Sequence, residues 1–297
     1  MSAFLLSCES TVDMPFSYVD GRGISVLFYS YAVDGKEYPD DMLRDDEALS
    51  RFYRFIDEGK MPSTSQINTY RYSDYFEALL QKGDVLHITF GSGMTPSVRN
   101  AEAAAELLRE KYPERKIIVV DSLCSSTGYG MLLDYAADLR DEGKNMEEIE
   151  AWLLANRKRI HHQFYSTDMT MYHRSGRVSG AAAAIATVLS ICPIMRLDDT
   201  GHIIAYSKVR GRKAAVAETV RTMAEHAEGG EDYSGHVNIC HSDCYEDARA
   251  LADLVEARFT KLADKVQIYD VGTTIGSHTG PGTVALFFWG DERKSEE

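Results

Sequence analysis

Apolar runs of strand length alternate with longer amphipathic segments along most of this chain, and that alternation limits the folds open to it. Parallel neighbouring strands cannot be joined by a tight turn and need a crossover, usually a helix. The runs are "AFLLS" at 3–7, "DVLHITF" at 84–90, "KIIVVD" at 116–121, "HVNIC" at 236–240 and "KVQIYD" at 265–270. "DVLHITF" and "KIIVVD" are apolar without a period of two, as expected of strands covered by helices on both faces. The segments between them predict helices over 96–112, opened by Pro96, over 127–141, stopped by Gly143, and after Asn145, which forms a capping box with Glu148.

"ISVLFYSYAV" at 24–33 alternates and runs into "DGKEY", an Asp-Gly turn for an antiparallel edge hairpin. Between 164 and 207 the pattern changes to short strands, "ICPIMRL" and "HIIAYS", joined by "DDTG". The expected fold is therefore α/β with two domains. Residues 1–160 form a doubly wound parallel-sheet domain; residues 161–297 form an α+β domain whose antiparallel sheet is covered by helices at 211–228 and 245–263. The acidic tail "DERKSEE" is expected to fray.

At 44% hydrophobic residues the chain can bury a large core, and its formal charge of -14, from 46 acidic and 32 basic residues, repels a phosphate backbone. Nucleic acid is excluded as a partner. The apolar stretches "AAAAIATVL" at 181–189 and "VALFFW" at 284–289 fall short of the roughly 20 residues that span a bilayer. The N-terminus lacks a basic region and reaches Glu9 early, unlike a signal peptide. These features predict a soluble, cytoplasmic protein in which Cys8, Cys124, Cys192, Cys240 and Cys244 are reduced. "CHSDC" at 240–244 lacks the second ligand pair that a structural zinc site needs, so no metal is expected there.

Four polar stretches carry what chemistry the chain has. "MPSTSQIN" at 61–68 gathers five hydrogen-bonding side chains, Thr64 among them; "FGSGMTPSVRNA" at 90–101 leaves a buried strand through two glycines and offers Thr95 and Ser97 beside a helix start. "GTTIGSHTGPG" at 272–282 contributes His278, a residue able to titrate near neutrality and to face an anion. "HRSGRVSGAAAA" puts Arg177 before a helix of small residues, and "KVRGRKAA" at 208–215 adds Arg210, Arg212 and Lys213. Each has an ordinary reading as well, as a turn, a glycine-rich connection, a solvated histidine or a surface charge. No P-loop, GxGxxG, HExxH, EF-hand or nucleophile elbow is present, so these residues describe an anion cradle without specifying a reaction.

Taken in order, "SCESTVDMP", "TSQ" at 64–66, "SGMTPS", "VVDSLCSSTGYGMLL", "SGRVSGAAA", "KVRGRKAA" and "GSHTGPG" resemble the DegV family over nearly the whole chain. That family comprises bacterial fatty-acid-binding proteins, including the fatty-acid-binding subunit of fatty acid kinase. The resemblance implies a tunnel between two domains holding a long-chain fatty acid such as palmitate or stearate. Thr64, Thr95, His278 and Arg177 would bind its carboxylate, with no cofactor and no catalytic residue. It also implies presentation of the carboxylate to a separate kinase subunit, docking near Arg210 and Arg212, and transient membrane contact. The sequence departs from the family pattern at Thr95, where serine is usual, at Pro96, where glycine is usual, and at Asn68. The alternative is an enzyme acting on a small anion, with His278 as acid or base and Thr64 and Thr95 as oxyanion donors.

Overall fold

The computed structural model describes residues 4–178 and 191–295. The first apolar runs pair side by side: β1 (Phe4–Glu9), β2 (Ser25–Leu27), β6 (Asp84–Thr89) and β7 (Ile117–Asp121) form an all-parallel sheet of four strands in the order β2-β1-β6-β7. The predicted helices form at Ser97–Lys111, Ser126–Asp141 and Met146–Asn156, the last with the Asn145–Glu148 capping box in place. The small-residue helix expected after Arg177 lies outside the described residues.

The alternating run at 24–33 is not one strand. Its first part is β2; its second, β3 (Ser30–Val33), leaves the parallel sheet and pairs antiparallel with β4 (Lys36–Pro39) and with β5 (Ser63–Thr64). The break falls where Tyr29 N–H donates to Ser10 Oγ at 3.0 Å and the Tyr29 carbonyl accepts from Asp40 N–H at 3.0 Å, so its backbone is satisfied outside the ladder. The expected turn is present, with Asp34 and Gly35 at φ 50° and 77°, as a two-residue hairpin requires.

The second sheet has six strands, β8 (Ile160–Ser166), β9 (Ile191–Leu197), β10 (Ile203–Arg210), β11 (Val237–His241), β12 (Gln267–Asp270) and β13 (Thr283–Trp289), in the order β10-β9-β8-β13-β11-β12. It is antiparallel except at one edge, where β11 and β12 run parallel because the helix Tyr245–Arg258 crosses over between them. Strand alternation splits β13 between two cores: Val284, Leu286 and Phe288 pack under the helices Arg212–His226 and Tyr245–Arg258, while Ala285 and Phe287 join the core that the first sheet shares. The helix Ser126–Asp141 belongs to that shared core, and Trp152 and Trp289 stack across it with ring centroids 5.8 Å apart.

The C-terminal tail corrects an expectation. It does not fray through Arg293, which is 5% exposed and donates to the carbonyls of Leu123 at 2.8 Å and Lys158 at 3.3 Å. A buried guanidinium with carbonyl acceptors anchors the chain that sequence composition marks as loose.

Gly128 tests how closely the shared core is packed. Helix propensity alone favours alanine over glycine by about 1 kcal/mol. Here a Cβ would stand 2.4 Å from His162 Nε2 and 2.7 Å from Phe287, both buried. Gly128→Ala is therefore expected to destabilise the protein, by about 1–3 kcal/mol in urea unfolding, and a gain in stability would show that the helix can move away from the sheet.

Candidate functional site

The stretch around Thr64 is held from three sides. Thr64 is a strand residue paired with Tyr31. Beyond it, Ile67 N–H donates to Ser97 Oγ at 3.2 Å, Asn100 Nδ2 donates to the Ile67 carbonyl at 2.8 Å, and Asn68 caps the helix Thr69–Leu80 by accepting from Arg71 N–H at 3.0 Å. The two bonds to Ile67 tie the glycine-rich stretch at 90–101 to the stretch around Thr64, and Ser97 Oγ in turn lies 3.0 Å from Thr95 Oγ1. Across from them "GTTIGSHT" is a short helix, Thr273–Thr279, and His278 Nε2 lies 2.7 Å from Thr64 Oγ1.

That helix is fixed by two buried carboxyl groups outside the expected carboxylate-binding set. Asp13 accepts from Gly272 N–H at 3.0 Å and from Ser126 Oγ at 2.5 Å; Asp40 accepts from Thr273 Oγ1 at 3.2 Å and Ser10 Oγ at 3.1 Å. Burial pushes both carboxyls above the ordinary range, Asp13 strongly. The position of Gly272 leaves no room for a side chain, since a Cβ would stand 2.6 Å from Asp13 Oδ1.

Thr64, Thr95, Arg177 and His278 all line one cavity of about 290 Å³ between the two sheets. Phe164, Ala285 and Phe287 of β8 and β13 form one wall, continued by Leu197 and Ile203; Tyr29, Phe90 and Met94 face them. From Thr283 to Phe287 the cavity follows β13, a path of roughly 13 Å at the usual strand rise. Thr64, Gln66, Thr95, Arg177 and His278 are among its polar lining residues, and hydroxyl residues from Ser125 and Ser126 to Thr279 and Thr283 line it as well. At the Phe287 end stands His162, the strand partner of Phe287, with both ring nitrogens engaged: Nδ1 with the Ile160 carbonyl at 3.0 Å and Nε2 accepting from Ser125 N–H at 3.1 Å. His162, Tyr29 and the polar anchors Asn100, Asp13 and Asp40 are not marked as site residues by the sequence, although Asp13 lies within "SCESTVDMP" and Asn100 within "FGSGMTPSVRNA".

The electrostatics are one-sided. Among the described residues, Arg177 is the one charged side chain that lines the cavity, and no carboxylate does. Arg177 is otherwise exposed and donates to the Ser175 carbonyl at 2.5 Å. His278 does not titrate near neutrality: burial, with the Arg177 charge adding to it, pushes it down to about 4. The imidazole is neutral at physiological pH and its buried Nδ1 has no hydrogen-bond partner among the described residues. Arg210 and Arg212 do not line the cavity; both are exposed, and Arg212 pairs with Asp247 at 3.2 Å. Such a cavity suits a ligand with one anionic group and a long apolar body.

Residues 5–291 match the model of the family described as "Uncharacterised protein, DegV family". The chain belongs to the DegV family. It is 34% identical over 296 residues to a DegV domain-containing protein of Clostridium perfringens, covering 99% of this chain and 100% of that one. A fatty-acid-binding DegV family protein of Thermus thermophilus superposes with a TM-score of 0.83 at 25% identity, over 97% of this chain and 100% of that one. The fatty acid kinase (Fak) B3 protein of Streptococcus pneumoniae, solved with linoleic acid, shares the fold at a TM-score of 0.83 and 17% identity, over 98% of this chain and 100% of that one. This DegV chain is thus α/β with a parallel and a mainly antiparallel sheet, like its structural neighbours.

The neutral histidine has a measurable consequence. Its folded value near 4 lies below the 6.5 of a free histidine. As pH falls through about 6.5 the unfolded chain takes up a proton that the folded chain refuses until about 4, so stability is lost across that window. Urea unfolding of His278→Gln should show a shallower loss of stability between those pH values than the wild type. Equal slopes would mean that His278 is as easily charged in the folded protein as in the unfolded one.

Proposed function

We propose that this DegV protein binds a long-chain fatty acid, with its carboxylate at Thr64, Thr95, Arg177 and His278 and its acyl chain along β8 and β13. The reading places the ligand between residues 1–160 on one side and 161–297 on the other. The observation that carries it is the lining of the cavity: apolar walls, one cation and no acid among the described residues, in a chain of net charge -14. The fatty acid bound by the Thermus thermophilus relative supports the same ligand class.

The energetics divide the work. An ionised carboxylate leaving water must be met by donors, and charge-assisted hydrogen bonds contribute about 1.5–3 kcal/mol each. At about 0.8 kcal/mol per buried CH2, a tail of about 15 methylenes gains roughly 12 kcal/mol before the costs of ordering. The tail dominates affinity and the hydroxyls set orientation. An acid–base enzyme for a small anion has less support, because His278 titrates far below neutrality and the apolar walls would have no role.

The protein supplies no catalytic residue in this reading; it carries the acid and offers the carboxylate to a separate kinase subunit. Exposed Arg210 ends β10 at the same end of the six-stranded sheet where Thr283 opens β13, which supports docking of an acidic partner surface there, with Arg212 beside it.

Native mass spectrometry of the protein as purified, followed by denaturing extraction, is the test of ligand class. The expected result is a mass excess that resolves into a long-chain fatty acid; an empty protein that also fails to take up added palmitate would overturn the reading. Thr64→Val and Thr95→Val should each weaken palmitate binding by roughly tenfold or more while the fold is kept. Arg210→Glu should leave the lipid content unchanged and slow phosphorylation by the cognate kinase; an undiminished rate would place the docking surface elsewhere.

A further inference from the structure

Strand alternation gives β8 two faces. His162 turns toward the cavity, and its neighbour His161 turns away, stacking on Phe288 with ring centroids 5.0 Å apart and the rings 9° from parallel. On that outer side His161, His226 and Asp291 bring one ligand atom each to within 4.8 Å of one another, the one such trio among the described residues. Sequence spacing gives no hint of it, since Asp291 lies 130 residues from His161 and 65 from His226.

The trio is assembled by backbone rather than by flexible side chains. His161 is near the start of β8, His226 is the last residue of the helix Arg212–His226, and Asp291 follows β13. Gly290 N–H donates to the Arg159 carbonyl at 2.9 Å and Asp291 N–H to the His226 carbonyl at 3.0 Å. Gly290 passes so close that a Cβ there would stand 2.2 Å from the His226 carbonyl oxygen and 2.9 Å from the His161 ring. This close approach fixes where Asp291 begins. Its Oδ1 is 2.9 Å from His161 Nε2 and 3.1 Å from His226 Nδ1, and the two imidazoles stack with centroids 5.1 Å apart. The Asp291 carbonyl oxygen also lies 2.9 Å from His161 Nε2.

We propose that His161, His226 and Asp291 form a binding site for a divalent ion of the zinc type, separate from the lipid cavity and with its fourth position open to water. Two imidazole nitrogens and one carboxylate oxygen are a donor set that zinc takes. Bonds of about 2.0–2.2 Å to such donors in a tetrahedron set neighbouring ligand atoms roughly 3.3 Å apart, and the two separations from Asp291 Oδ1, 2.9 and 3.1 Å, lie a few tenths of an ångström short of that. A neutral imidazole carries one proton, so binding the ion requires the proton that faces Asp291 to move to the other ring nitrogen, or, from a doubly protonated ring, to leave to solvent, which frees the lone pair that takes the ion. The ion ties the start of β8, the end of the helix and the chain beyond β13 to one another.

The test uses the full chain without a polyhistidine tag, stripped with chelator and titrated with zinc chloride by calorimetry, with cobalt(II) as a spectroscopic probe. Expected are one zinc per chain, visible absorption of a low-coordinate cobalt site, and a melting temperature that rises with zinc and falls back on chelation. His226→Ala and Asp291→Asn should each weaken zinc binding by roughly tenfold or more, with bound fatty acid unchanged. The asparagine variant keeps a hydrogen-bonding side chain beside both rings while removing the anionic ligand. No saturable zinc binding by the wild type, or wild-type affinity in both variants, would show that the trio is a hydrogen-bonded cluster only.

Discussion

The carboxyl groups of Asp13 and Asp40 are the interaction on which the site depends. A helix of seven residues does not hold itself together in water, and Thr273–Thr279 is rich in residues of modest helix propensity. It keeps its place because Gly272 and Thr273, at its start, bond to two carboxyls, Asp13 beyond β1 of the parallel sheet and Asp40 just after β4 of the hairpin. Ser126 and Ser10 donate to the second oxygens of Asp13 and Asp40, so that neither buried group is left without a donor. His278 lies at the far end of the same helix, and its contact with Thr64 is the visible result of an anchorage at the other end.

The second constraint is charge. With -14 overall, the surface offers a carboxylate nothing but repulsion on average, yet acids are absent from the described lining of the cavity. The neutral state of His278 belongs to the same arrangement. A charged imidazole beside Arg177 would be repelled and poorly solvated, whereas a neutral one can exchange a hydrogen bond with a threonine hydroxyl and leave Arg177 as the single cation.

Much of the fold was legible because parallel strands buried on both faces must be apolar throughout, and "DVLHITF" and "KIIVVD" are so written. The Asp34–Gly35 turn was legible for an equally local reason, the positive φ that it demands. What could not be read depends on partners far away in the chain. Ser10 captures the Tyr29 N–H and splits an alternating run in two; the carbonyls of Leu123 and Lys158 capture Arg293 and dock a tail that looks disordered. The site shows the same division. Order of motifs picked out Thr64, Thr95, Arg177 and His278, which line one cavity, but Thr64 and His278 are 214 residues apart and no local pattern predicts their contact. His278 near 4 was equally hidden, since burial sets it and composition does not.

The stack of Trp152 on Trp289 gives the molecule an optical property of its own. They are the chain's two tryptophans, one on the helix Met146–Asn156 that follows the parallel sheet and the other on the last strand of the second sheet. Tyr135 packs edge-on against Trp289, and the Arg159 guanidinium lies 4.9 Å from a Trp289 ring centroid. All indole absorption and emission therefore arises from a single seam, and two stacked indoles act as one coupled chromophore. The indole bands of the near-ultraviolet spectrum, at longer wavelength than those of the tyrosines, record how this seam is seated, with no label added.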